Sequence, residues 1–134
     1  MPARAIGALS FSIILCCCLT GCGGKMGSVT GRVTVDGQPV PNAKVSYEDN
    51  VKHVRASGET DANGVYTLST NAKNDGAPVG DYRIAIVQAS AADSSQTTAP
   101  PRLFPTQFER VETSGLSFSV KSGSNTNDIQ LPKP

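Results

Sequence analysis

Residues 29–47, with the sequence VTGRVTVDGQPVPNAKVSY, decide the fold class of this chain. From Val29 to Val35 every second residue is valine or glycine and the residues between them are polar. This alternation is typical of a β-strand with one buried face. Asp36-Gly37 then favours a tight turn, and a second alternating run begins at Ala43. The stretch therefore predicts two strands joined by a turn.

The same alternation recurs further along the chain and predicts an all-β fold. The connections between the runs are rich in Gly, Pro, Asn and Asp, which favour turns, and no segment has the periodicity of an amphipathic helix. About seven short strands with turns between them predict a single immunoglobulin-like β-sandwich. The run around Ile84 is apolar on nearly both faces, so we place it centrally in its sheet, and we expect Ser122–Asn125 to turn the chain. The further strand runs contain Val45, Val54, Tyr66, Ile84, Phe118 and Ile129.

Charge and cysteine content exclude several kinds of partner. The 134-residue chain has 12 basic and 11 acidic residues, and Arg4 is the only charged residue before Cys22. The remaining charges balance and form no basic cluster, so we expect neither a nucleic-acid surface nor a polybasic membrane patch. All four cysteines lie between positions 16 and 22. The domain is therefore expected to fold without disulfides.

The first 21 residues have the organisation of a secretory signal peptide. A single arginine precedes an apolar run of residues 6–19, which is too short to cross a bilayer comfortably. Leu19-Thr20-Gly21-Cys22 resembles the bacterial lipobox, in which small residues admit the peptidase and the cysteine thiol accepts a diacylglyceryl group. The resemblance implies cleavage between Gly21 and Cys22 and a doubly modified Cys22, N-palmitoyl and S-diacylglyceryl cysteine. An uncleaved signal anchor is the alternative.

The predicted domain organisation follows from this N-terminus. We expect a signal peptide over residues 1–21, a lipidated flexible tether over residues 22–28 and a β-sandwich over residues 29–131. The mature protein would be exported and held at the membrane of the cell envelope by its acyl chains. In a host with two membranes, the absence of Asp at position 23 favours the outer membrane.

Three motifs resemble carboxypeptidase regulatory-like domains. Residues 33–45, VTVDGQPVPNAKV, match a strand followed by Asp-Gly-x-Pro-Val-x-x-Ala and a second strand. Residues 60–68, TDANGVYTL, are similar to the second signature, and Gly80-Asp81-Tyr82 is similar to the Gly-x-Tyr that opens a later strand. The resemblance implies a seven-stranded, transthyretin-like sandwich. Asn127 departs from the pattern, so we expect the last strand to begin late.

Catalytic and metal-binding residues are not predicted. His53 is the only histidine, and no motif supplies the oriented nucleophile that a catalytic histidine requires. We therefore expect His53 to lie on a surface strand. Asp61 and Asn63 are similar to the start of a calcium loop, but the later ligands are missing, so turn chemistry explains them better. We expect no enzyme activity and no cofactor.

A long loop offers the best candidate for a contact surface. Residues 89–101 are rich in Ala, Ser, Thr and Pro and lead to Phe104 and Phe108. These two rings either contribute to contacts or cap one end of the sandwich. We expect a lipid-anchored, non-catalytic envelope protein that binds a protein or a glycan. The alternatives are an accessory domain of an envelope hydrolase or peptidase system and a ligand-free structural spacer, and the sequence does not indicate an oligomeric state.

Overall fold

Two β-sheets form the fold, in a computed structural model that describes residues 25–89 and 100–134. The predicted all-β sandwich is confirmed, and the only helical element within these ranges is a 3-10 helix at Thr106–Glu109. Both sheets contribute apolar side chains to one core. The strands are β1 Met26–Val35, β2 Gln38–Pro39, β3 Ala43–Asp49, β4 Val54–Glu59, β5 Val65–Thr67, β6 Ala77–Pro78, β7 Gly80–Gln88, β8 Leu116–Val120, β9 Gly123–Thr126 and β10 Ile129–Leu131.

Sheet 1 is built around β1. Its buried residues alternate with outward-facing ones along the strand, as the sequence pattern predicts. On one side β1 pairs antiparallel with β5 and β6, and on the other it pairs parallel with β9 and β10. The short β2 folds back on the end of β1, where Thr34 lies opposite Pro39. Strand β1 therefore pairs with strands from the middle of the chain on one side and with its last two strands on the other.

Sheet 2 has the strand order β4-β3-β7-β8 and is antiparallel throughout. The expectation that the strand around Ile84 is central is confirmed, because β7 lies between β3 and β8. Tyr82, Ile84 and Ile86 point into the core, and Ala85 on the opposite face is also buried. The central position of β7 in the sheet explains why both of its faces carry apolar residues.

The described residues form ten strand segments, whereas the sequence predicts about seven. Two of the additional segments, β2 and β6, are only two residues long. Strands β9 and β10 follow one another along β1 and are separated at Asn127 and Asp128. The predicted turn at Ser122–Asn125 is wrong in part, because β9 begins at Gly123 and pairs with β1 from its first residue.

The predicted tether over residues 22–28 is too long. Strand β1 begins at Met26, and Gly27 pairs with both Ala77 and Gly123. Just before it, the Lys25 carbonyl accepts a hydrogen bond from Val79 N–H at 2.8 Å. The predicted signal peptide, Gly21 and Cys22 lie outside the described residues. Among the residues that are described, no helix has the length and apolar character needed to span a bilayer.

Phe104 and Phe108 do not form a contact surface. Phe104 is 1% exposed and Phe108 is 7% exposed, and both pack into the common core. The 3-10 helix that carries Phe108 packs on β7, so the two rings close that part of the sandwich. This corrects the contact-surface interpretation of these side chains. Most of the adjoining loop, residues 90–99, lies outside the described residues.

Candidate functional site

A groove of about 520 Å³ lies on the outer face of sheet 1. We call it the β1 groove. It is open to solvent along its length, and its floor is the central strand β1, with β5 on one side and the β9–β10 line on the other. Its lining residues are Thr30, Gly31, Arg32, Thr34, Gly37, Val65, Thr126, Asp128 and Gln130.

Strand alternation positions the polar side chains of the groove. Residues two apart on a strand share a face, so Thr30, Arg32 and Thr34 form one row outside the buried valines of β1. The parallel register places Thr126 beside Thr30 and Gln130 beside Thr34. Two rows of polar side chains therefore run side by side across the sheet.

Several polar groups of the groove are free to bind a ligand. The Arg32 side chain is exposed and forms no ion pair with a described residue. Asp128 uses one carboxylate oxygen, Oδ1, to accept the Arg32 backbone N–H at 2.9 Å, while its other oxygen has no hydrogen bond within the described ranges. The Thr30 hydroxyl is occupied, because it donates to the Tyr66 carbonyl at 2.9 Å. The groove thus offers a guanidinium, a carboxylate oxygen, hydroxyls and an amide.

A closed ring of hydrogen bonds lies directly beneath the groove and joins the two sheets. Tyr66 of sheet 1 donates its hydroxyl to the Asn127 carbonyl at 2.7 Å, so the proton of the 2.9 Å hydroxyl–hydroxyl bond comes from Tyr47 of sheet 2. Asn127 Nδ2 completes the ring by donating to the Tyr47 hydroxyl at 2.7 Å. Burial raises the pKa of both tyrosines above its ordinary value. The side chains of both tyrosines therefore stay neutral and fully hydrogen-bonded.

Gly31 makes this ring of hydrogen bonds possible. A Cβ atom at Gly31 would lie 1.9 Å from the Asn127 carbonyl oxygen, which is far inside van der Waals contact. The Asn127 backbone therefore approaches β1 so closely that only glycine fits at this position. Because the Asn127 carbonyl turns inward here, the Asp128 side chain accepts the Arg32 N–H in its place. The Asn127 carbonyl therefore connects the floor of the groove to the buried tyrosines, because it packs against Gly31 and accepts the Tyr66 hydroxyl.

His53 lies in a different place from the groove. It is exposed in the turn between β3 and β4, with a φ of 54°, so the predicted surface position is confirmed but the strand assignment is wrong. It shares a shallow depression of about 310 Å³ with Glu48 and Asp49, and that depression contains no Ser, Thr or Cys. Glu48 is paired with Arg55 at 2.6 Å, and Asp49 accepts two backbone N–H groups. These carboxylates stabilise the hairpin and do not orient the imidazole.

Asp61 and Asn63 form the turn that their sequence predicts. Asp61 Oδ1 accepts backbone N–H groups from Asn63 and Val65 at 2.9 Å each, and Gly64 has a φ of 75°. In residues 25–89 and 100–134, no three His, Cys, Asp or Glu side chains come close enough together to hold a metal ion.

The groove could not be recognised from the sequence. Most of its polar residues belong to two segments, residues 30–34 and 126–130, that lie about a hundred positions apart in the chain, and only the parallel pairing of β1 with β9 and β10 brings them together. The one local signal is the arginine at position 32 among threonines and glycine. Cys22, the site with the clearest sequence signature, lies outside the described residues.

No protein-family model and no curated protein matches the chain. Among solved structures, the fold is similar to the Bacillus anthracis TIE protein, with 14% identity and a TM-score of 0.46 over 81% of this chain. It is also similar to a DUF3823 family protein from Parabacteroides merdae, with 13% identity and a TM-score of 0.48 over 83% of this chain. The matched regions span 17% and 47% of those two proteins.

Proposed function

We propose that this protein is an exported lipoprotein, anchored through Cys22, whose β-sandwich binds a glycan of the cell envelope in the β1 groove without catalysing a reaction. The observation that carries the binding proposal is the set of uncommitted polar groups along the groove. An exposed guanidinium, a carboxylate oxygen and an amide lie within one open concavity. Converging polar groups of this kind fix the orientation of a bound ligand.

The composition of the groove favours a glycan over a protein partner. Protein interfaces depend on buried aromatic and large apolar anchors, whereas Val65 is the only large apolar residue that lines this groove. Sugar hydroxyls can exchange hydrogen bonds with Thr34, Thr126 and Gln130. Arg32 adds a charge-assisted contact for an acidic sugar or a phosphate substituent.

The anchor proposal is supported by the N-terminal sequence. An apolar run of signal-peptide length ends in Leu19-Thr20-Gly21-Cys22, which resembles the lipobox. We further propose that the sandwich is a carboxypeptidase regulatory-like domain, because the motifs of residues 33–45 and 60–68 occur in the expected order. A non-catalytic role agrees with the exposed, unoriented position of His53.

Binding is tested with the full-length protein purified from membranes in detergent. Soluble fragments of the host's cell-wall and surface glycans are titrated in a calorimeter, with Arg32→Ala as the groove variant. Arg55→Ala on the outer face of sheet 2 is the control, because it removes another exposed arginine that lies away from the groove. We expect wild type and the control to bind alike and the groove variant to lose roughly tenfold or more in affinity. Absence of binding by the wild-type protein would favour the ligand-free spacer.

The anchor is tested by Cys22→Ser in the native host. Without the thiol, no diacylglyceryl group can be attached, so we expect the variant to move from the membrane to the soluble fraction after cell disruption. Mass spectrometry of the wild-type N-terminal peptide provides the second measurement. A peptide that begins at residue 1 and carries no lipid contradicts the anchor.

A further inference from the structure

Four lysines from separate parts of the chain meet at the end of the sandwich where β1 begins. We call this the tether end. It contains the turn of residues 50–53, the loop of residues 69–76, the link at Val79 and the connection from β8 to β9. Val79 joins two of these lysines, because its N–H donates to the Lys25 carbonyl at 2.8 Å and its carbonyl accepts from Lys52 Nζ at 3.0 Å.

The other two lysines reach the same end through neighbouring glycines. A Cβ atom at Gly27 would lie 2.1 Å from the Lys121 carbonyl oxygen, so the β8–β9 connection crosses the start of β1. A Cβ atom at Gly76 would lie 2.1 Å from the Gly27 carbonyl oxygen, which brings the loop containing Lys73 to the same place. All four lysines are exposed, and none forms an ion pair with a described residue.

The carboxylates of the tether end offset only part of this positive charge. Asp49 is 7% exposed, and its Oδ1 accepts the backbone N–H groups of Val51 and Lys52. Asp75 accepts three backbone N–H groups within its own loop. Asp81, the nearest exposed carboxylate, lies on the outer face of β7 and accepts the Ser119 hydroxyl. These three carboxylates offset three of the four lysine charges, so the tether end keeps an excess of one positive charge.

The opposite end of the sandwich has the opposite charge balance. Asp36 and Asp61 lie in its turns and Glu59 ends β4, against two lysines: Lys133 is paired with Asp36 at 2.6 Å, and Lys44 lies opposite Glu59 in the sheet. The chain is therefore nearly neutral overall but polarised along the strand direction. The sequence predicts no polybasic patch because the four lysines are separated by at least 21 residues in the chain, and folding assembles them.

Apolar side chains accompany the lysines at the tether end. Val51 is 89% exposed at the tip of the β3–β4 turn, and Met26 is 38% exposed at the start of β1. A single exposed apolar residue is ordinary. A combination of exposed apolar side chains and surrounding lysines is what an anionic lipid surface attracts.

We propose that the tether end is a docking surface for the anionic face of the bilayer that holds the lipid anchor. This inference rests on the proposed modification of Cys22. Only two residues, Gly23 and Gly24, separate Cys22 from Lys25, so the chain can extend at most about 11 Å between them. That distance is close to the Debye length of roughly 8 Å at physiological ionic strength. The short tether therefore keeps the lysines within the electrostatic field of the lipid headgroups, and Val51 enters the interface.

The experiment uses the full-length lipidated protein with one reporter thiol. No cysteine follows Cys22, so Val51→Cys can be labelled specifically with an environment-sensitive fluorophore after purification. Ala62→Cys, in an exposed turn at the opposite end, is the control position. Each labelled protein is inserted into phosphatidylcholine vesicles with or without phosphatidylglycerol, and quenching by spin-labelled lipid is measured.

We expect quenching at position 51 to be several-fold greater than at position 62 in the anionic vesicles. The double variant Lys52→Glu/Lys121→Glu should reduce it to the level of neutral vesicles. Lys44→Glu/Lys133→Glu changes the net charge equally but lies away from the tether end, and it should leave the quenching unchanged.

The outcomes separate the anchor from the docking surface. If the protein does not float with vesicles of either composition, the anchor is refuted and the docking proposal fails with it. If the protein floats but positions 51 and 62 are quenched equally, only the docking proposal is refuted. Equal quenching of position 51 in neutral and anionic vesicles also refutes it, because the lysines would then contribute nothing.

Discussion

Tyr66→Phe tests whether the buried hydrogen-bond ring stabilises the sandwich. The hydroxyl of Tyr66 bonds to two partners in different parts of the fold, the Tyr47 hydroxyl at 2.9 Å and the Asn127 carbonyl at 2.7 Å. Its removal leaves a carbonyl without its donor and a hydroxyl without its acceptor beside a ring that is 1% exposed. Because the Tyr47–Tyr66 bond is buried and two hydrogen bonds are lost at once, we expect a loss of about 2–3 kcal/mol of unfolding free energy.

The assay is equilibrium urea denaturation followed by circular dichroism, with the midpoint and slope fitted for each variant. Tyr82→Phe is the matched control, because its hydroxyl makes a single hydrogen bond, to the part-buried Pro78 carbonyl. We expect the control to lose about 1 kcal/mol or less. Equal losses of unfolding free energy for the two variants would refute the reasoning, since they would show that the buried hydrogen-bond ring stabilises the fold no more than one peripheral hydrogen bond. A double-mutant cycle of Tyr47→Phe with Tyr66→Phe should show a coupling of roughly 0.5 kcal/mol or more.

Two further predictions concern the backbone near the groove and the acid stability of the chain. Gly31→Ala should cost more unfolding free energy than Gly37→Ala in the same urea assay, because a Cβ at Gly31 meets the Asn127 carbonyl at 1.9 Å, whereas one at Gly37 meets no atom within 4 Å and adds only the backbone strain of its φ of 80°. Similar losses of unfolding free energy for the two alanine variants would contradict the explanation that β9 and β10 are separated by the close approach of the Asn127 carbonyl to Gly31. The backbone N–H groups of residues 70, 72 and 71 lower the pKa of Asp75 below its ordinary value of 3.8, so this carboxylate stabilises the fold above pH 3.8 and the contribution is lost as the pH falls through its lowered pKa. Urea midpoints of Asp75→Ala should therefore vary less with pH below about pH 4 than those of wild type, and parallel pH profiles would count against this role.

The strand pattern could be predicted where one face of a strand is buried. Alternation from Val29 to Val35 and from Leu116 to Val120 corresponds to strands β1 and β8, because a one-residue shift would expose every apolar side chain. The central position of β7 follows from the same reasoning, since residues on both of its faces are apolar. These assignments depend on local sequence alone.

The pairing of distant strands could not be predicted in this way. Strand β9 is polar throughout, and its residues Gly123–Asn125 have the composition of a turn. They form a strand because the edge of β1 supplies backbone hydrogen bonds from Gly27 onward. Phe104 and Phe108 illustrate the same limit, because burial by β7 decides their role while their own segment has no periodic pattern.

The proposed groove and the proposed docking surface are related through the geometry of β1. This strand begins at the tether end and rises about 3.3 Å per residue, so Thr30 and Thr34 lie roughly 13 and 26 Å from Met26 along its axis. A sandwich that rests on its tether end would therefore hold the groove upright above the membrane, with its open side facing parallel to the bilayer. A glycan chain lying above the lipid surface could then enter the groove from the side. Loss of the lysines should accordingly change the orientation of the groove and its capture of membrane-bound glycan, while leaving its affinity for a soluble fragment intact, because no lysine lines the groove.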